Sequence, residues 1–119
     1  MIPRMGHFSQ DGHAVQGFAI RKTTDSLRTL QSAFPNLGKQ FKFVGHQANL
    51  SMLRTVCERA NIEEGNHWHN VEYFGNTGCA GAATVLSERW DDFAPGDHIA
   101  IALVGSGLTW SHMMLEIIQ

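Results

Sequence analysis

The sequence lacks any apolar run long enough to cross a membrane, and it has little cysteine. The longest unbroken apolar stretch, Ile99–Val104, has six residues, whereas a membrane-spanning helix needs roughly 20. The first residues, 1–7, contain no apolar segment typical of a secretory signal. The two cysteines, Cys57 and Cys79, lie in helix-like apolar surroundings. We therefore expect reduced thiols in a soluble, cytoplasmic protein.

An excess of charge of one sign is also lacking. The 9 basic and 11 acidic residues are interspersed and give a net charge of −2, so the pattern indicates neither nucleic-acid nor anionic-membrane binding. The hydrophobic share of 43% and the charged share of 17% are typical of a globular protein. With 119 residues, the chain is expected to form one domain at most. We expect residues 1–11 to be a lead-in and residues 12–119 to form that domain.

The hydrophobic periodicity predicts an α/β chain with the order α-β-α-β-α-β-β. Helices are predicted over three stretches with apolar residues three and four apart, at 11–33, 49–60 and 77–90. Asn49 is the expected cap of the second helix. Strands are predicted at 41–44, 66–74, 99–104 and 108–118. The continuous apolar run of the third strand indicates a sheet covered on both faces, and the last strand is expected to be antiparallel to it.

Two side chains that can donate hydrogen bonds follow predicted strands. His46 comes directly after an apolar run, and Asn76, within Gly75-Asn76-Thr77, follows the next predicted strand. The carboxyl ends of parallel strands meet at one edge of a sheet, where ligands bind. An imidazole and an amide aimed at one oxygen, with backbone N–H groups from the turn Gly105-Ser106-Gly107, are the equipment of a site that stabilises an oxyanion or enolate. No cysteine or serine in a recognisable nucleophile setting accompanies them.

Each of these residues also has a purely structural interpretation. A lone histidine is often satisfied by a neighbouring backbone group, and Gly-Asn is ordinary turn chemistry. Cys79, at a predicted helix start, is better explained as a packed thiol than as a nucleophile. His67-Trp68-His69 places two imidazoles on one predicted strand face as a candidate metal pair, but no third ligand has motif spacing. We therefore expect no metal and no cofactor.

Together the motifs are similar to those of a known family. HQAN at 46–49, GNT at 75–77, Pro95-Gly96-Asp97 and the G-x-G-L-T-W segment at 105–110 resemble the C-terminal half of the β-ketoacyl-acyl carrier protein synthase III group over residues 12–118. Gly45 stands where the family commonly has proline. The resemblance implies the C-terminal half of a thiolase-like fold. It further implies a mixed, mostly parallel sheet with a terminal antiparallel strand, helices on both faces, and a missing first strand.

The resemblance also implies an activity, the decarboxylative Claisen condensation of an acyl-CoA with malonyl-acyl carrier protein in fatty acid or polyketide-type biosynthesis. In such enzymes a cysteine is acylated first. The residues matching the family's histidine and asparagine, His46 and Asn76, would then hold the malonyl thioester carbonyl while carbon dioxide leaves. Asn49 would line the pantetheine channel. The turn Gly105-Ser106-Gly107 would bind substrate, with the Ser106 backbone N–H in the oxyanion hole.

The cysteine-bearing N-terminal half has no counterpart in this chain, and Cys79 does not match the family's nucleophile. The resemblance therefore implies a partner, that missing half, and a homodimer in the intact enzyme, with no nucleic acid and no membrane. Lacking its first strand, the chain is expected to expose apolar surface and unpaired strand edges, and so to self-associate or need a partner. An alternative stays open: a non-catalytic thiolase-like subunit that serves as a binding or assembly module.

Overall fold

A computed structural model describes residues 12–38, 40–47, 49–74, 80–105 and 109–118. Its described strands are β1 (Lys42–Gly45), β2 (His98–Gly105) and β3 (Thr109–Glu116). Its described α-helices are α1 (Gly12–Ala33), α2 (Leu50–Ala60), α3 (Val71–Phe74) and α4 (Gly81–Glu88). Short 3₁₀ segments lie at Pro35–Leu37, Glu64–Asn66 and Trp90–Asp92. None of the described helices is long and apolar enough to cross a membrane.

The described strands form one mixed sheet in the order β1-β2-β3. β1 and β2 run parallel, with Gly45 opposite Ala102. β2 and β3 run antiparallel over their full lengths, from the pair of His98 with Glu116 to that of Gly105 with Thr109. The mixed sheet and its terminal antiparallel strand confirm the prediction. The parallel pairing matters for function because it brings the carboxyl ends of β1 and β2 to the same edge.

Helices cover both faces of the sheet, as predicted. Side chains alternate between the faces of a strand, and β2 is buried at five positions of one continuous apolar run. One face packs against α1 and α2 in a cluster that contains Leu27, Leu30, Phe41, Phe43, Leu53, Val56, Cys57, Ala60, Ile62, Val71, Ala100 and Ala102. The other face packs against α4 in a cluster that contains Val44, Trp68, Ala82, Val85, Ile99 and Ile101.

The predicted strand at 66–74 is wrong. Only one isolated parallel bridge forms there, between Phe43 and His67, and the chain then turns into α3. The backbone N–H of Asn70 donates to the side chain of Gln47 instead of to a neighbouring strand. A side-chain contact of 2.8 Å between His69 and Glu72, three residues apart, accompanies the helical turn. A buried side chain has therefore taken the place of the expected strand ladder.

The predicted helices exist, with small differences at their ends. The predicted cap of α2 is confirmed, since Asn49 Oδ1 accepts a hydrogen bond of 3.0 Å from the Met52 N–H. The third helix ends at Glu88, earlier than predicted, and Trp90 is exposed. Cys57 is a free, buried thiol, as expected. The predictions for the lead-in at 1–11 and for Cys79 lie outside the described residues.

Candidate active site

His46 lies at the carboxyl end of β1, between the strand and the capped start of α2. Its side chain is partly buried, and burial lowers the pKa of the imidazole from its ordinary value. Among the described residues, none forms a hydrogen bond or ion pair with the ring. The imidazole is therefore neutral near pH 7 and has one N–H donor and one acceptor nitrogen to offer to a ligand.

Gly105 lies at the carboxyl end of β2, at the same edge as His46, because the two strands are parallel neighbours. A Cβ added at Gly105 would lie 3.1 Å from Thr109 Oγ1, a close contact that favours a residue without a side chain at the end of β2. Gly105, the first residue of the predicted turn, thus lies at the same edge of the sheet as His46. Asn76, Ser106 and Gly107 lie outside the described residues, so their convergence with His46 stays a prediction.

Asn49 has a structural role that the sequence predicted and a binding role that stays a prediction. Its Oδ1 is occupied as the cap of α2. The side chain is exposed, and its Nδ2 has no hydrogen-bond partner within the described part of the chain. Because the amide nitrogen is not used by the cap, it is the atom that could reach a substrate in the predicted pantetheine channel.

Sequence reasoning missed two buried amides behind His46. Gln47 is 0% exposed, and its Nε2 donates to the Gly45 carbonyl at 2.8 Å. Its Oε1 accepts from the Asn70 N–H at 3.0 Å. Asn70 is 2% exposed, and its Nδ2 donates to Thr84 Oγ1 in α4 at 3.1 Å. Gln47 belongs to the HQAN motif, but a polar residue directly after a histidine gives no local sign of complete burial.

His67 and His69 do not form the predicted pair on a strand face. Their ring centroids are 4.6 Å apart, but His67 is buried and stacked on Phe43, whereas His69 contacts Glu72 and Glu64. In the described ranges, no group of three or more histidine, cysteine, aspartate or glutamate side chains has an arrangement suited to a metal ion. His67 therefore packs in the core as an aromatic ring, and His69 is paired with carboxylates.

Comparison with known proteins assigns the chain to a family. The family model of the C-terminal part of 3-oxoacyl-[acyl-carrier-protein (ACP)] synthase III matches residues 41–117. The beta-ketoacyl-[acyl-carrier-protein] synthase III 2 of Deinococcus radiodurans is 31% identical over 116 residues, which are 92% of this chain and 33% of that protein. The beta-ketoacyl-[acyl-carrier-protein] synthase III of Clostridioides difficile is 30% identical over 108 residues, 88% of this chain and 33% of that protein.

Solved structures agree with the sequence comparison. The 3-oxoacyl-(acyl carrier protein) synthase III of Pseudomonas aeruginosa superposes with a TM-score of 0.85 at 25% identity, over 100% of this chain and 38% of that one. The corresponding enzyme of Thermus thermophilus gives a TM-score of 0.78 at 32% identity, over 90% of this chain and 34% of that one. The chain thus spans about a third of the length of these relatives. It belongs to the 3-oxoacyl-[acyl-carrier-protein] synthase III family and corresponds to the C-terminal part of its thiolase-like fold.

Proposed function

We propose that this chain supplies the histidine–asparagine part of the active site of a β-ketoacyl-acyl carrier protein synthase III-type acyltransferase. The enzyme condenses an acyl-CoA with malonyl-acyl carrier protein, in fatty acid or polyketide-type biosynthesis. The observation that carries the proposal is the position of His46: a neutral, partly buried imidazole at the carboxyl end of a parallel strand, within the segment that the family model matches.

In this proposal His46 and Asn76 each donate an N–H to the malonyl thioester carbonyl. The bond between the α-carbon and the carboxylate breaks, carbon dioxide leaves, and the electron pair moves into an enolate held by the two donors. The enolate carbon attacks the acyl-cysteine carbonyl, and the cysteine leaves as thiolate. One donor aimed at a developing oxyanion lowers the barrier by about 3 kcal/mol. Asn49 Nδ2 contacts the pantetheine arm, and the Gly105-Ser106-Gly107 turn contacts the acyl-enzyme oxygen.

The acylated cysteine comes from the N-terminal half of the enzyme. Cys57 is unsuited to the role because burial, with a smaller contribution from Glu64, raises the pKa of its thiol to about 12, and the thiolate is the nucleophilic form. The relatives are about three times as long as the segment matched here. We therefore propose that the working enzyme combines this chain with a cysteine-bearing half, and that it is a cytoplasmic homodimer.

The test separates the two half-reactions in the assembled enzyme, which contains this chain and the cysteine-bearing half. His46→Ala and Asn76→Ala should each reduce release of labelled carbon dioxide from malonyl-acyl carrier protein by about 100-fold or more. Transfer of a labelled acyl group from acyl-CoA to the cysteine should stay near the wild-type rate, because the pair acts on the malonyl carbonyl and not on the primer.

Two results would contradict the proposal. Loss of cysteine acylation as severe as the loss of carbon dioxide release would show that the pair does not act on the malonyl carbonyl alone. Unchanged carbon dioxide release in both variants would show that His46 and Asn76 take no part, and would favour the non-catalytic binding or assembly module. His98→Ala is the matched control and should leave both rates unchanged. His98 lies at the start of β2, at the opposite end of that strand from Gly105.

A further inference from the structure

A buried series of hydrogen bonds connects the residue after His46 with the core. The Gln47 amide is completely buried. Its Nε2 donates to the Gly45 carbonyl at 2.8 Å, and its Oε1 accepts from the Asn70 N–H at 3.0 Å. A carbonyl only accepts and a backbone N–H only donates, so these two partners fix which way the amide points. Gln47 thereby closes the turn after β1 and attaches it to the segment before α3.

The series continues from Asn70 into helix α4. Asn70 Nδ2 donates to Thr84 Oγ1 at 3.1 Å and to Glu88 Oε1 at 3.4 Å. The Thr84 hydroxyl donates onward to the Gly81 carbonyl at 2.6 Å, which leaves its lone pair for Asn70. Every donor in the series has an acceptor, as a buried polar network requires. The end of β1 and the first two turns of α4 are therefore held together through Gln47 and Asn70.

The backbone on the other side of His46 is fixed by packing. A Cβ added at Gly45 would lie 2.5 Å from Leu53 Cδ2 and 2.8 Å from Phe43 Cζ. The strand end therefore packs closely against α2, and a side chain there would require Leu53 or Phe43 to move. His46 lies between this packed glycine and the bonded Gln47, and none of the described residues holds its ring by a hydrogen bond. The backbone that carries the imidazole is thus held on both sides of it.

We propose that Gln47 and Asn70 are positioning residues for His46, an inference that rests on the proposed function of that histidine. They touch no reacting atom. They hold the turn that carries the imidazole, so that its N–H meets the malonyl thioester carbonyl at hydrogen-bonding distance. Misplacement of a catalytic group by about 1 Å costs on the order of 100-fold in rate. Loss of the Gln47 bonds should therefore slow decarboxylation while leaving the chemistry of the cysteine unaffected.

The test uses two substitutions at one position in the assembled enzyme. Gln47→Glu keeps the shape but places an oxygen against the Gly45 carbonyl, and Gln47→Met removes both hydrogen bonds. Each should lower kcat for carbon dioxide release by about 10- to 100-fold, with KM for the malonyl thioester and the rate of cysteine acylation near wild type. In the 119-residue chain, the Asn70 amide should exchange with solvent deuterium at least about 10-fold faster in Gln47→Met, because it loses its acceptor.

A matched control and a milder variant complete the design. Gln31→Glu makes the same change in an amide of α1 that donates to the Ala60 carbonyl at 3.4 Å, and it should alter neither rate. Thr84→Val is nearly isosteric and removes the hydrogen bond between Asn70 and Thr84, while the longer bond of Asn70 to Glu88 stays. It should lower kcat for carbon dioxide release by about 3- to 10-fold, which is less than the loss expected when a catalytic group is misplaced by about 1 Å.

The outcomes distinguish this inference from the proposed function. If the Gln47 variants fold and release carbon dioxide at the wild-type rate while His46→Ala does not, the positioning role is overturned and the proposed function stands. If acylation and decarboxylation fall equally, Gln47 has only a structural role and the inference is again overturned. If His46→Ala itself has no effect, the proposed function fails. If the Gln47 variants do not fold, a wild-type rate in Thr84→Val overturns the inference, and a selective loss in decarboxylation supports it.

Discussion

His67, which bridges to Phe43 in β1, combines burial with unsatisfied polarity. His67 is 3% exposed, and both of its ring nitrogens are buried without a hydrogen-bond partner. The ring stacks on Phe43, with centroids 5.3 Å apart, and so it serves the core as an aromatic side chain. Burial, with a smaller contribution from His69, lowers its pKa to about 4. A charged His67 therefore has no favourable place in the folded chain.

This burial predicts a pH dependence of stability. The unfolded chain binds a proton at His67 near the ordinary pKa of 6.5, whereas the folded chain binds it only near 4. Between these values the unfolded state holds more protons, so the free energy of unfolding should fall as the pH drops from 6.5 to 4, by up to about 3 kcal/mol. Urea denaturation of the chain at several pH values measures this slope.

The decrease in the free energy of unfolding between pH 6.5 and pH 4 should be much smaller in His67→Leu, which keeps the volume and removes the titrating ring. His98→Gln changes the histidine count equally and should keep the part of the slope that arises from His67. A wild-type slope in His67→Leu would show that another group titrates in this range.

At the scale of elements, the helix α2 begins where its cap places it. Asn49→Ala should destabilise the chain by about 1 kcal/mol, because the Met52 N–H loses its acceptor. Asn49→Asp keeps an acceptor oxygen at the helix start, where a negative charge is favourable, and removes only the Nδ2 donor. It should keep the thermal stability and, in the assembled enzyme, raise KM for the malonyl thioester. An unchanged KM in Asn49→Asp would contradict the contact of Asn49 with the pantetheine arm.

The elements also show what the sequence could predict. Periodicity, the Asn49 cap and the apolar run of β2 predicted the helices on both faces and the terminal antiparallel strand, because each is a local signal. The prediction of a strand at 66–74 was wrong because the conformation there depends on a contact between residues 23 positions apart, the hydrogen bond from the Asn70 N–H to Gln47 Oε1. The burial of Gln47 was missed for the same reason. His46 and Asn49 could be proposed as site residues because the motif itself carries the chemistry, and these roles stay predictions.

At the scale of the whole molecule, β3 is an edge strand of the described sheet and exposes large apolar side chains. Trp110, Met113 and Leu115 on this strand, and Ile118 beyond it, are among them. Trp110 is covered in part by Lys22, whose Nζ lies 4.3 Å from the ring centroid. An exposed apolar edge strand is a surface that pairs with another segment or aggregates. This surface supports the proposal that the chain works together with the remaining two thirds of a synthase III-type enzyme.

The role of His46 in condensation is tested most directly by measuring whether this chain forms the carbon–carbon bond with and without a cysteine-bearing half. A labelled acyl-CoA and malonyl-acyl carrier protein are supplied, and the β-ketoacyl product is quantified by mass spectrometry. We expect no product from the isolated chain, because there is no acyl-cysteine to be attacked. The assembly should form the product, and His46→Ala should abolish it. Product from the isolated chain, or an assembly that remains fully active with His46→Ala, would contradict the account.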